Sequence, residues 1–344
     1  MRLLILGGTV FLGRALTDAA LARGHAVTHF YRGVSAARDD RVETLIGDRE
    51  AVPFMQGIAA SRTWEAVVDT SGYLPQVVSR SCEALAGSIG TYAFISSISA
   101  YASFASQGFD EDAPLQPDPV PWPAERTPEL YGALKAACER VVSRALGERA
   151  LIVRPGLIVG PYDPTDRFTW WPWRAAKGGA FAAPGRRERR VQFVDVRDVA
   201  EWIVAMLERS RYGTFHVTGP RDTTTMGELI DACCAATSTS AAPRWIPDDF
   251  LLEQGIRPWV EMPLWLPESD PAYRGFMSAS IERAVGEGLA FRPLPRTVTD
   301  TLEWARKRPS DHAWKAGLAE EREAAVLDAW KIAQTKRRPE IEAP

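Results

Sequence analysis

Short apolar runs alternate with helical patterns along the first half of the chain. Apolar residues recur at helical spacing over 12–22, 76–85 and 129–146, which predicts three helices there. Short apolar runs between and around these patterns predict six strands, at 2–6, 26–31, 42–46, 66–69, 91–96 and 150–153. This alternation predicts an α/β fold in which helices cover both faces of a doubly wound parallel sheet.

The pattern changes at two places further along. From 104 to 128 the chain is rich in proline and acidic residues, and so long an irregular stretch predicts a lid or a surface loop. After residue 155, shorter elements between Trp-rich and Arg-rich loops predict a smaller second domain. We expect strands at 192–194 and 214–217, helices at 199–207, 226–236, 278–287, 298–307 and 320–334, and a frayed tail over 336–344.

The balance of charge excludes some classes of partner. The 344 residues carry 41 Lys and Arg against 44 Asp and Glu, a formal net charge of −3, so we expect no nucleic-acid partner. Charged, proline and glycine residues interrupt every apolar run well short of a membrane span, so we expect no membrane anchor. The four cysteines form no CxxC pair, which favours a reducing, cytoplasmic setting.

Metal and hydrolase motifs are also missing from the sequence. The four histidines form no HExxH motif and no His/Cys cluster, so we expect no catalytic zinc or other metal site. The sequence contains no GxSxG motif, so it does not support a hydrolase nucleophile either.

A glycine-rich loop, GGTVFLG, follows the first predicted strand and opens the first predicted helix. Gly7, Gly8 and Gly13 allow a tight turn and close backbone approach, and the helix N-terminus attracts a pyrophosphate through its free N–H groups. Val10 stands where the usual spacing has a middle glycine, so the backbone at Gly8 and Thr9 must provide the room for the pyrophosphate. The loop predicts a dinucleotide site, the alternative being an ordinary glycine turn.

The end of the second predicted strand bears on the type of dinucleotide. An NAD enzyme usually places a carboxylate there, near the adenosine ribose, but this chain has Arg32 instead. Arg32, with Arg14 or Arg38 as helpers, could face a 2′-phosphate, which favours NADP over NAD; alternatively, Arg32 is a solvated surface cation. Asp48, after the third strand, is either an acceptor for the adenine amino group or a turn residue.

Tyr131 and Lys135 stand four residues apart in YGALK, which places both side chains on one face of a helix. We expect the ammonium to lower the pKa of the phenol, so that Tyr131 can exchange a proton with a carbonyl oxygen. Ser97, at the end of the fifth strand, is the candidate that orients this oxygen, with Ser96 and Ser99 as competitors. The alternative is a pair of surface residues with no chemical role.

The chain resembles the extended short-chain dehydrogenase/reductases, the NAD-dependent epimerase/dehydratase family, over about residues 1–219. The motifs that carry the resemblance are, in chain order, GGTVFLG, IGD, FISSISAY, YGALK, RPGLIVGP and FVDVRDVA. The resemblance implies a Rossmann-like domain, a C-terminal substrate domain, and the family's catalytic roles for Ser97, Tyr131 and Lys135. GGTVFLG is also similar to an atypical branch that includes chloroplast RNA-associated proteins, so the fold alone does not guarantee catalysis.

The domain boundaries and the cofactor contacts follow from this reading. We expect a dinucleotide-binding domain over 1–155 and roughly 190–219, an α+β substrate domain over 156–189 and 220–310, and a C-terminal helix and tail over 311–344. The residues that we expect to contact the cofactor are Gly7, Gly8, Thr9, Phe11, Leu12, Gly13, Tyr31, Arg32, Asp48, Ser71, Tyr131, Lys135 and Pro155.

Two departures from the family's pattern bear on the substrate. Nucleotide-sugar members usually carry an Asn where this chain has Leu157, and an Arg where it has Val191, so polar contacts to a diphosphate are lost. A nearby basic cluster either replaces the missing cation or is a solvated loop; it comprises Arg186, Arg187, Arg189 and Arg190.

Tryptophans in FTWWPWR predict an apolar wall for a ring-shaped ligand, alongside Ser97 and Leu157. They are Trp170, Trp171 and Trp173, and Trp245, Trp259 and Trp265 follow them in the same domain. The alternative is that these side chains fill the core or an oligomer interface.

Three functional hypotheses follow. The first is an NADP(H)-dependent carbonyl reductase or alcohol dehydrogenase acting on a small, largely apolar or ring-shaped metabolite. The second is a nucleotide-sugar epimerase or dehydratase that retains its NAD. The third, suggested by Val10 and the atypical branch, is a non-catalytic, dinucleotide-responsive regulatory protein. The resemblance also makes a homodimer through exposed helices a reasonable expectation.

Overall fold

The computed structural model describes residues 1–34, 38–220 and 224–336. The chain forms two compact units, each assembled from three segments. The first comprises Met1–Ile158, Gln192–Arg221 and Ser278–Phe291. The second comprises Val159–Val191, Asp222–Met277 and Arg292–Pro344. The part of the expected tail beyond residue 336 lies outside the described residues.

The strands and helices are numbered in chain order. The strands are β1 (Arg2–Leu6), β2 (Ala26–Tyr31), β3 (Glu43–Ile46), β4 (Trp64–Asp69), β5 (Ile89–Ile95), β6 (Ala150–Pro155), β7 (Leu157–Val159), β8 (Gly179–Pro184), β9 (Phe193–Asp195), β10 (Gly213–Val217) and β11 (Ala241–Ile246). The helices are α1 (Leu12–Ala22), α2 (Val52–Ser61), α3 (Pro75–Leu85), α4 (Tyr131–Leu146), α5 (Trp170–Ala176), α6 (Val196–Glu208), α7 (Met226–Ala235), α8 (Asp248–Glu253), α9 (Glu282–Gly286), α10 (Leu294–Ala305) and α11 (Glu320–Lys336).

A seven-stranded parallel sheet forms the centre of the first unit, with the order β10-β6-β5-β4-β1-β2-β3. The prediction of a Rossmann-like doubly wound fold is therefore confirmed. The apolar residues of β1 are buried because both faces of a central parallel strand are covered. The strand order reverses between β1 and β4, and ligands of such sheets bind beyond the carboxyl ends at this point. There Leu6 pairs in register with Asp69.

Two hydrophobic clusters cover the two faces of this sheet. On one face α1 packs against α6, and Leu12, Leu16 and Ala20 form the buried stripe of α1 at helical spacing. On the other face α3 packs against α4, and Val78, Cys82 and Leu85 belong to the second cluster. The carboxyl edge of the sheet is thus held between two packed layers.

The second unit is smaller and mixed. Its parallel strands β8 and β11 form a two-stranded sheet, while α5 packs against α7 and α10, and α11 packs against β8. Its largest buried side chains include Trp170, Trp171 and Trp265. The predicted C-terminal helix is present, and it belongs to this unit rather than to a separate segment.

Residues 278–291 differ from their predicted structure and domain. The helix expected over 278–287 is reduced to α9, because the side-chain amide of Gln192 accepts from Ala279 N at 3.0 Å and donates to Ala279 O at 2.9 Å. These bonds hold the backbone extended there. The segment belongs to the first unit, where α9 packs against β10 and Leu289 joins the core.

Several elements of the structure have no counterpart in the sequence prediction. They are α2, α5, α8, β7, β8 and β11. Elsewhere the boundaries differ by a few residues: α4 begins at Tyr131 rather than 129, and α6 begins at Val196 because Asp195 caps it by accepting from Arg197 N. No helix among the described residues is long and apolar enough to cross a membrane.

Candidate active site

The glycine loop lies directly beyond β1, at the point where the strand order reverses. Gly7 has φ +92°, and a Cβ there would lie 2.8 Å from Thr70 Oγ1 and 2.9 Å from Ser71 Cβ. A Cβ on Gly13 would lie 2.6 Å from the carbonyl oxygen of Gly7. At Gly7 and Gly13 the surrounding atoms therefore leave no room for a side chain, as a phosphate-binding turn requires.

His29 explains the second glycine of the loop. Its buried ring lies under Gly8, where a Cβ would come within 2.4 Å of the imidazole. Thr17 Oγ1 lies 2.7 Å from His29 Nε2, and burial lowers the pKa of His29, so the ring is neutral. His29 thus has a packing role, as its position in a central strand suggests.

The rest of the loop is unevenly exposed. Val10, at the place of the missing glycine, is 43% exposed. Phe11 has φ +40°, a strained value for a side-chain-bearing residue, and precedes α1. Leu12 was expected at the cofactor, but its side chain is buried in the core cluster of α1, so only its backbone is available for a ligand.

A pocket of about 290 Å³ opens beside the loop in the first unit. Five of the expected cofactor residues line it: Gly7, Tyr31, Arg32, Asp48 and Ser71. The other lining residues are Phe30, Val34, Gly47, Arg49, Glu50, Tyr73, Leu74 and Val77. The suggested helper cations, Arg14 and Arg38, are not part of this lining.

Two side chains of opposite charge, Arg32 and Asp48, line the pocket. Arg32 is exposed, and among the described residues its guanidinium has no hydrogen-bond or ion-pair partner. Asp48 is also exposed, and its Oδ1 accepts from Glu50 N at 2.9 Å. Asp48 therefore has the turn role that the sequence left open, while it also faces the pocket.

A buried ion pair, which no sequence motif marks, lies beside this pocket. Arg49 donates to both carboxylate oxygens of Asp69, at 2.9 and 2.8 Å, and the Tyr92 hydroxyl donates to Oδ2 at 2.8 Å. Burial acts to raise the pKa of Asp69, but these partners hold it below its ordinary value, so the carboxylate stays ionised. Arg49 also donates to Ser71 Oγ at 3.2 Å, which fixes the wall of the pocket.

Ser97 and Tyr131 are brought together at the carboxyl end of β5. Ser97 follows this strand, its Oγ accepts from Ser99 N at 3.0 Å, and its hydroxyl is close enough to Tyr131, the first residue of α4, to favour the ionised phenol. Of the competing serines, Ser96 is buried and its hydroxyl has no partner within the described part of the chain. Ser97 is therefore the serine positioned beside the phenol.

Lys135 is placed differently from its expected role. Its buried ammonium donates to Gly72 O at 2.8 Å and Ile95 O at 2.7 Å, and it lies 4.6 Å from the centre of the Tyr73 ring. Burial raises the pKa of Tyr131, and Lys135 is not among the groups that oppose this effect. Two carbonyls hold the ammonium, and the expectation that Lys135 lowers the pKa of Tyr131 stays a prediction.

Arg126 is the cation that acts on Tyr131. It belongs to the proline-rich stretch 104–128, and its guanidinium lies 4.4 Å from the centre of the Tyr73 ring. Its charge and the Ser97 hydroxyl both favour the ionised phenol against the effect of burial, which raises the pKa of Tyr131. Gln76 donates to Pro123 O at 2.9 Å, so the stretch is also bonded to the start of α3. The expected surface loop therefore contributes to the electrostatics of the site.

The remaining expected residues are distributed over both units. Pro155 is the buried last residue of β6, and Leu157 is partly buried in β7. In the second unit, three of the four clustered arginines have acidic partners, namely Arg186 with Glu268, Arg187 with Asp231, and Arg189 with Asp248. Those three form structural ion pairs rather than a free basic cluster.

The substrate role expected for the tryptophans of FTWWPWR needs correction. Trp170 and Trp171 are at most 1% exposed, and their ring centres are 4.7 Å apart in an edge-to-face pair. A Cβ on Gly317 would lie 2.0 Å from the Trp170 ring. Trp173 packs on Trp314, with ring centres 4.2 Å apart. Trp170 and Trp171 form the core of the second unit, which is the alternative reading of the sequence.

Comparison with known proteins identifies the family and the fold. The model of the NAD dependent epimerase/dehydratase family matches residues 3–218. The chloroplast stem-loop binding protein of 41 kDa b from Arabidopsis thaliana is 26% identical over 254 residues, which cover 68% of this chain and 63% of that protein. The chain thus spans less than two thirds of that relative's length.

Solved structures show the same fold. The UDP-Glc/GlcNAc 4-epimerase from Campylobacter jejuni has a TM-score of 0.68 at 14% identity, covering 89% of this chain and 99% of that one. The UDP-glucuronic acid 4-epimerase from Bacillus cereus, solved in complex with NAD, has a TM-score of 0.67 at 15% identity, covering 92% and 100%. At such identities the likeness concerns the fold alone. The family match over most of the first unit nevertheless shows that the chain belongs to the NAD dependent epimerase/dehydratase family.

Proposed function

We propose that this protein is an NADP(H)-dependent carbonyl reductase or alcohol dehydrogenase acting on a small, largely apolar or ring-shaped metabolite. The observation that carries the proposal is the contact between Ser97 and Tyr131, with Lys135 one helical turn along α4. A hydroxyl donor, a phenol and a fixed ammonium at one sheet edge are the groups that carbonyl reduction needs.

The first unit fits a nicotinamide dinucleotide. Gly7 and Gly13 leave no room for a Cβ, as expected of a loop against which a pyrophosphate packs. Arg32, exposed at the pocket and without a protein partner among the described residues, suits a 2′-phosphate and favours NADP. Glu50 lines the same pocket and could accept from ribose hydroxyls, so NAD is the competing cofactor. When bound, the dinucleotide would supply or accept hydride.

Tyr131 is the proton donor of the proposed reaction. Because burial raises its pKa, the phenol holds its proton at neutral pH and can give it to the substrate oxygen as negative charge develops there. Ser97 donates a second hydrogen bond to that oxygen and orients it. In the oxidative direction Tyr131 accepts the proton of the alcohol, and the Arg126 charge assists by favouring the phenolate.

The proposed role of Lys135 is to hold one N–H donor in a fixed position for the ligand. Two of its three N–H groups are held by Gly72 and Ile95, so the ammonium cannot rotate freely and one N–H remains for a ligand hydroxyl. This arrangement fixes the remaining donor on the same helical face as Tyr131. The expected effect of losing Lys135 is therefore weaker cofactor binding as well as slower turnover.

A nucleotide-sugar epimerase or dehydratase is the second candidate. It is favoured by the family match and by the 4-epimerases of the same fold. Leu157 and Val191 argue against it, because neither offers a polar contact to a diphosphate where nucleotide-sugar members carry Asn and Arg. An enzyme of this kind would retain NAD through purification, and denaturing the fresh protein would release it.

The proposal is tested by titrating the protein with NADPH and NADH, following nicotinamide fluorescence, and by assaying a panel of ketones and aldehydes. We expect NADPH to bind at micromolar concentration, Arg32→Gln to weaken NADPH about tenfold with little effect on NADH, and Tyr131→Phe to lower turnover about 100-fold or more. Tyr212→Phe, at an exposed tyrosine of the same unit, is the matched control.

Two results would contradict the proposal. Absence of NADP(H) binding at micromolar concentration would exclude the reductase, and stoichiometric NAD released on denaturation would favour the epimerase. If Tyr131→Phe leaves turnover intact while the dinucleotide still binds, the phenol is not the proton donor.

A further inference from the structure

The loop between β7 and α5 is held rigidly in the second unit. The Asp163 carboxylate accepts from Thr165 N at 2.8 Å and from Thr165 Oγ1 at 3.0 Å. Asp166 is also buried, and its Oδ2 accepts from Lys315 N at 3.1 Å. Because the carboxylates of Asp163 and Asp166 are both bonded in this loop, the backbone that carries Arg167 has little freedom.

The guanidinium of Arg167 is partly buried without an acceptor. Within the described ranges it makes no side-chain hydrogen bond or ion pair, and Asp163 is the charged group that acts on it, from beyond ion-pair distance. Burial lowers the pKa of Arg167, and Asp163 offsets this effect only in part. A cation removed from water without a hydrogen-bond partner is costly, and a bound anion would remove that cost.

Comparison with other arginines of the second unit shows that a partly buried guanidinium without an acceptor is unusual here. Two members that are buried or partly buried have carboxylate partners: the partly buried Arg174 pairs with Glu323, and the buried Arg189 with Asp248. Arg244 has no such partner among the described residues, but it is exposed, so water satisfies its donors. Arg167 is shielded from water, as Arg174 and Arg189 are. Among the described residues its side-chain donors have no acceptor, as is the case for Arg244.

An aromatic surface adjoins the guanidinium. Arg167 lies 5.6 Å from the centre of the partly exposed Trp259 ring. Trp259 has φ +65°, a strained value, and meets Phe276 edge-to-face with ring centres 5.4 Å apart. Tyr273, 45% exposed, continues this surface at 6.2 Å from Phe276. An apolar ring therefore has a surface to pack on beside the cation.

We propose that Arg167 binds the carboxylate of an aromatic acid whose ring packs against Trp259. A planar guanidinium can donate two parallel hydrogen bonds to a carboxylate. Asp163 makes the site selective for a single negative charge, since it is ionised at neutral pH, where burial raises its pKa only to about 6. A dianionic phosphate would be repelled more strongly. All of these groups lie in the second unit, so the site goes beyond the proposed function and involves none of its catalytic residues.

The test is calorimetric titration of the full chain with three probes: phenylacetate, phenylacetamide and phenyl phosphate. We expect phenylacetate to bind, and phenylacetamide and phenyl phosphate to bind about tenfold more weakly or worse. Arg167→Gln should weaken phenylacetate about tenfold and leave phenylacetamide unchanged, while Arg244→Gln should behave as the wild type. Asp163→Asn should strengthen phenyl phosphate more than phenylacetate.

The inference is overturned if phenylacetate does not bind at millimolar concentration, if it binds no better than its amide, or if Arg167→Gln binds it normally. Stronger binding of phenyl phosphate than of phenylacetate would overturn the assignment to a carboxylate. Arg167→Lys keeps the charge but loses the planar donor pair, so it provides a second variant of intermediate affinity if the Gln variant unfolds. Since no cofactor is added, these results do not depend on the reductase assays.

Discussion

Tyr131 is the residue whose surroundings matter most for the proposed chemistry. Burial favours its neutral form, while the Ser97 hydroxyl and the Arg126 charge favour the phenolate. In this protein the helical neighbour Lys135 is engaged by two carbonyls, and a cation from an irregular stretch takes over part of the expected electrostatic role. The proton affinity of the phenol thus depends on a residue far from it in sequence.

Arg126→Gln is predicted to change the pH dependence of alcohol oxidation. Oxidation needs the ionised phenol, so its rate rises with pH as Tyr131 loses its proton. Removing Arg126 removes a group that lowers the pKa of Tyr131, so the rise moves to higher pH and the rate at pH 8 falls several-fold. The measurement is the pH profile of kcat for the best alcohol substrate.

Controls separate this electrostatic effect from a structural one. Arg126→Lys keeps the positive charge and should restore much of the wild-type profile, while Arg80→Gln, at an exposed position of α3, should leave it unchanged. An Arg126→Gln profile that falls in height without moving along the pH axis would show that Arg126 only supports the fold.

Some members of the site could be inferred from the sequence because their positions follow from topology. Ser97 at a strand end and Tyr131 at a helix start must both lie at the carboxyl edge of a parallel sheet, so their proximity was predictable. Arg126 and Tyr73 lie outside regular elements, and no periodic pattern marks them. The role of Arg49 could not be predicted from the sequence either, because its buried ion pair with Asp69 is a tertiary contact between residues 20 positions apart.

At the scale of elements, Gly132 sets the distance between α4 and the end of β5. A Cβ on this residue would lie 2.1 Å from the carbonyl oxygen of Ser99 and 2.3 Å from Gln116 Nε2. The first turn of α4 therefore packs directly on the turn that follows Ser97. This contact is what allows Tyr131 to reach the Ser97 hydroxyl.

Gly132→Ala is predicted to separate Tyr131 from Ser97. The Ser99 carbonyl belongs to the backbone and cannot rotate away, so the helix must shift, and we expect turnover to fall about tenfold or more with a loss of stability. Kinetics and urea unfolding measure the two effects. Gly57→Ala, on the exposed face of α2 with nothing within 4 Å of its Cβ, should leave turnover unchanged and raise stability slightly. Equal behaviour of the two variants would contradict the packing argument.

The elements of the first unit were easier to predict than those of the second for a physical reason. The central strands β1 and β2 are buried, mainly apolar runs bounded by turns, and the prediction matched both. The strands β8 and β11 contain Gly, Ala and Pro, and they pair only with each other, so their pattern is weak. The extended backbone at Ala279 depends on the side chain of Gln192, a contact that no local pattern shows.

At the scale of the whole molecule, the chain passes repeatedly from one unit to the other. The first unit is complete only with its second and third segments: in the second, β10 extends the sheet and α6 covers one face, and in the third, α9 packs on β10. The second unit likewise uses three segments. Neither unit corresponds to one continuous stretch of sequence.

A fragment that ends at Ile158 is therefore predicted to misfold, although it contains the glycine loop, Ser97, Tyr131 and Lys135. It lacks α6, so the apolar stripe of α1 is left exposed to water. We expect this fragment to be largely insoluble, or to bind an apolar dye and unfold without cooperativity, with the full chain expressed in parallel as the control. A soluble fragment with a sharp urea transition would show that the first segment folds alone.

The same interleaving has a consequence for biosynthesis. When β6 has left the ribosome, the first unit still lacks segments that extend to Phe291, and translation of these about 130 residues takes roughly 7–26 s at ordinary rates. During this interval α1 is without α6 on one face of the nascent sheet, and the apolar surface left exposed there is a natural binding site for chaperones. We therefore expect the yield of folded protein to depend on the order of synthesis as well as on the stability of the finished units.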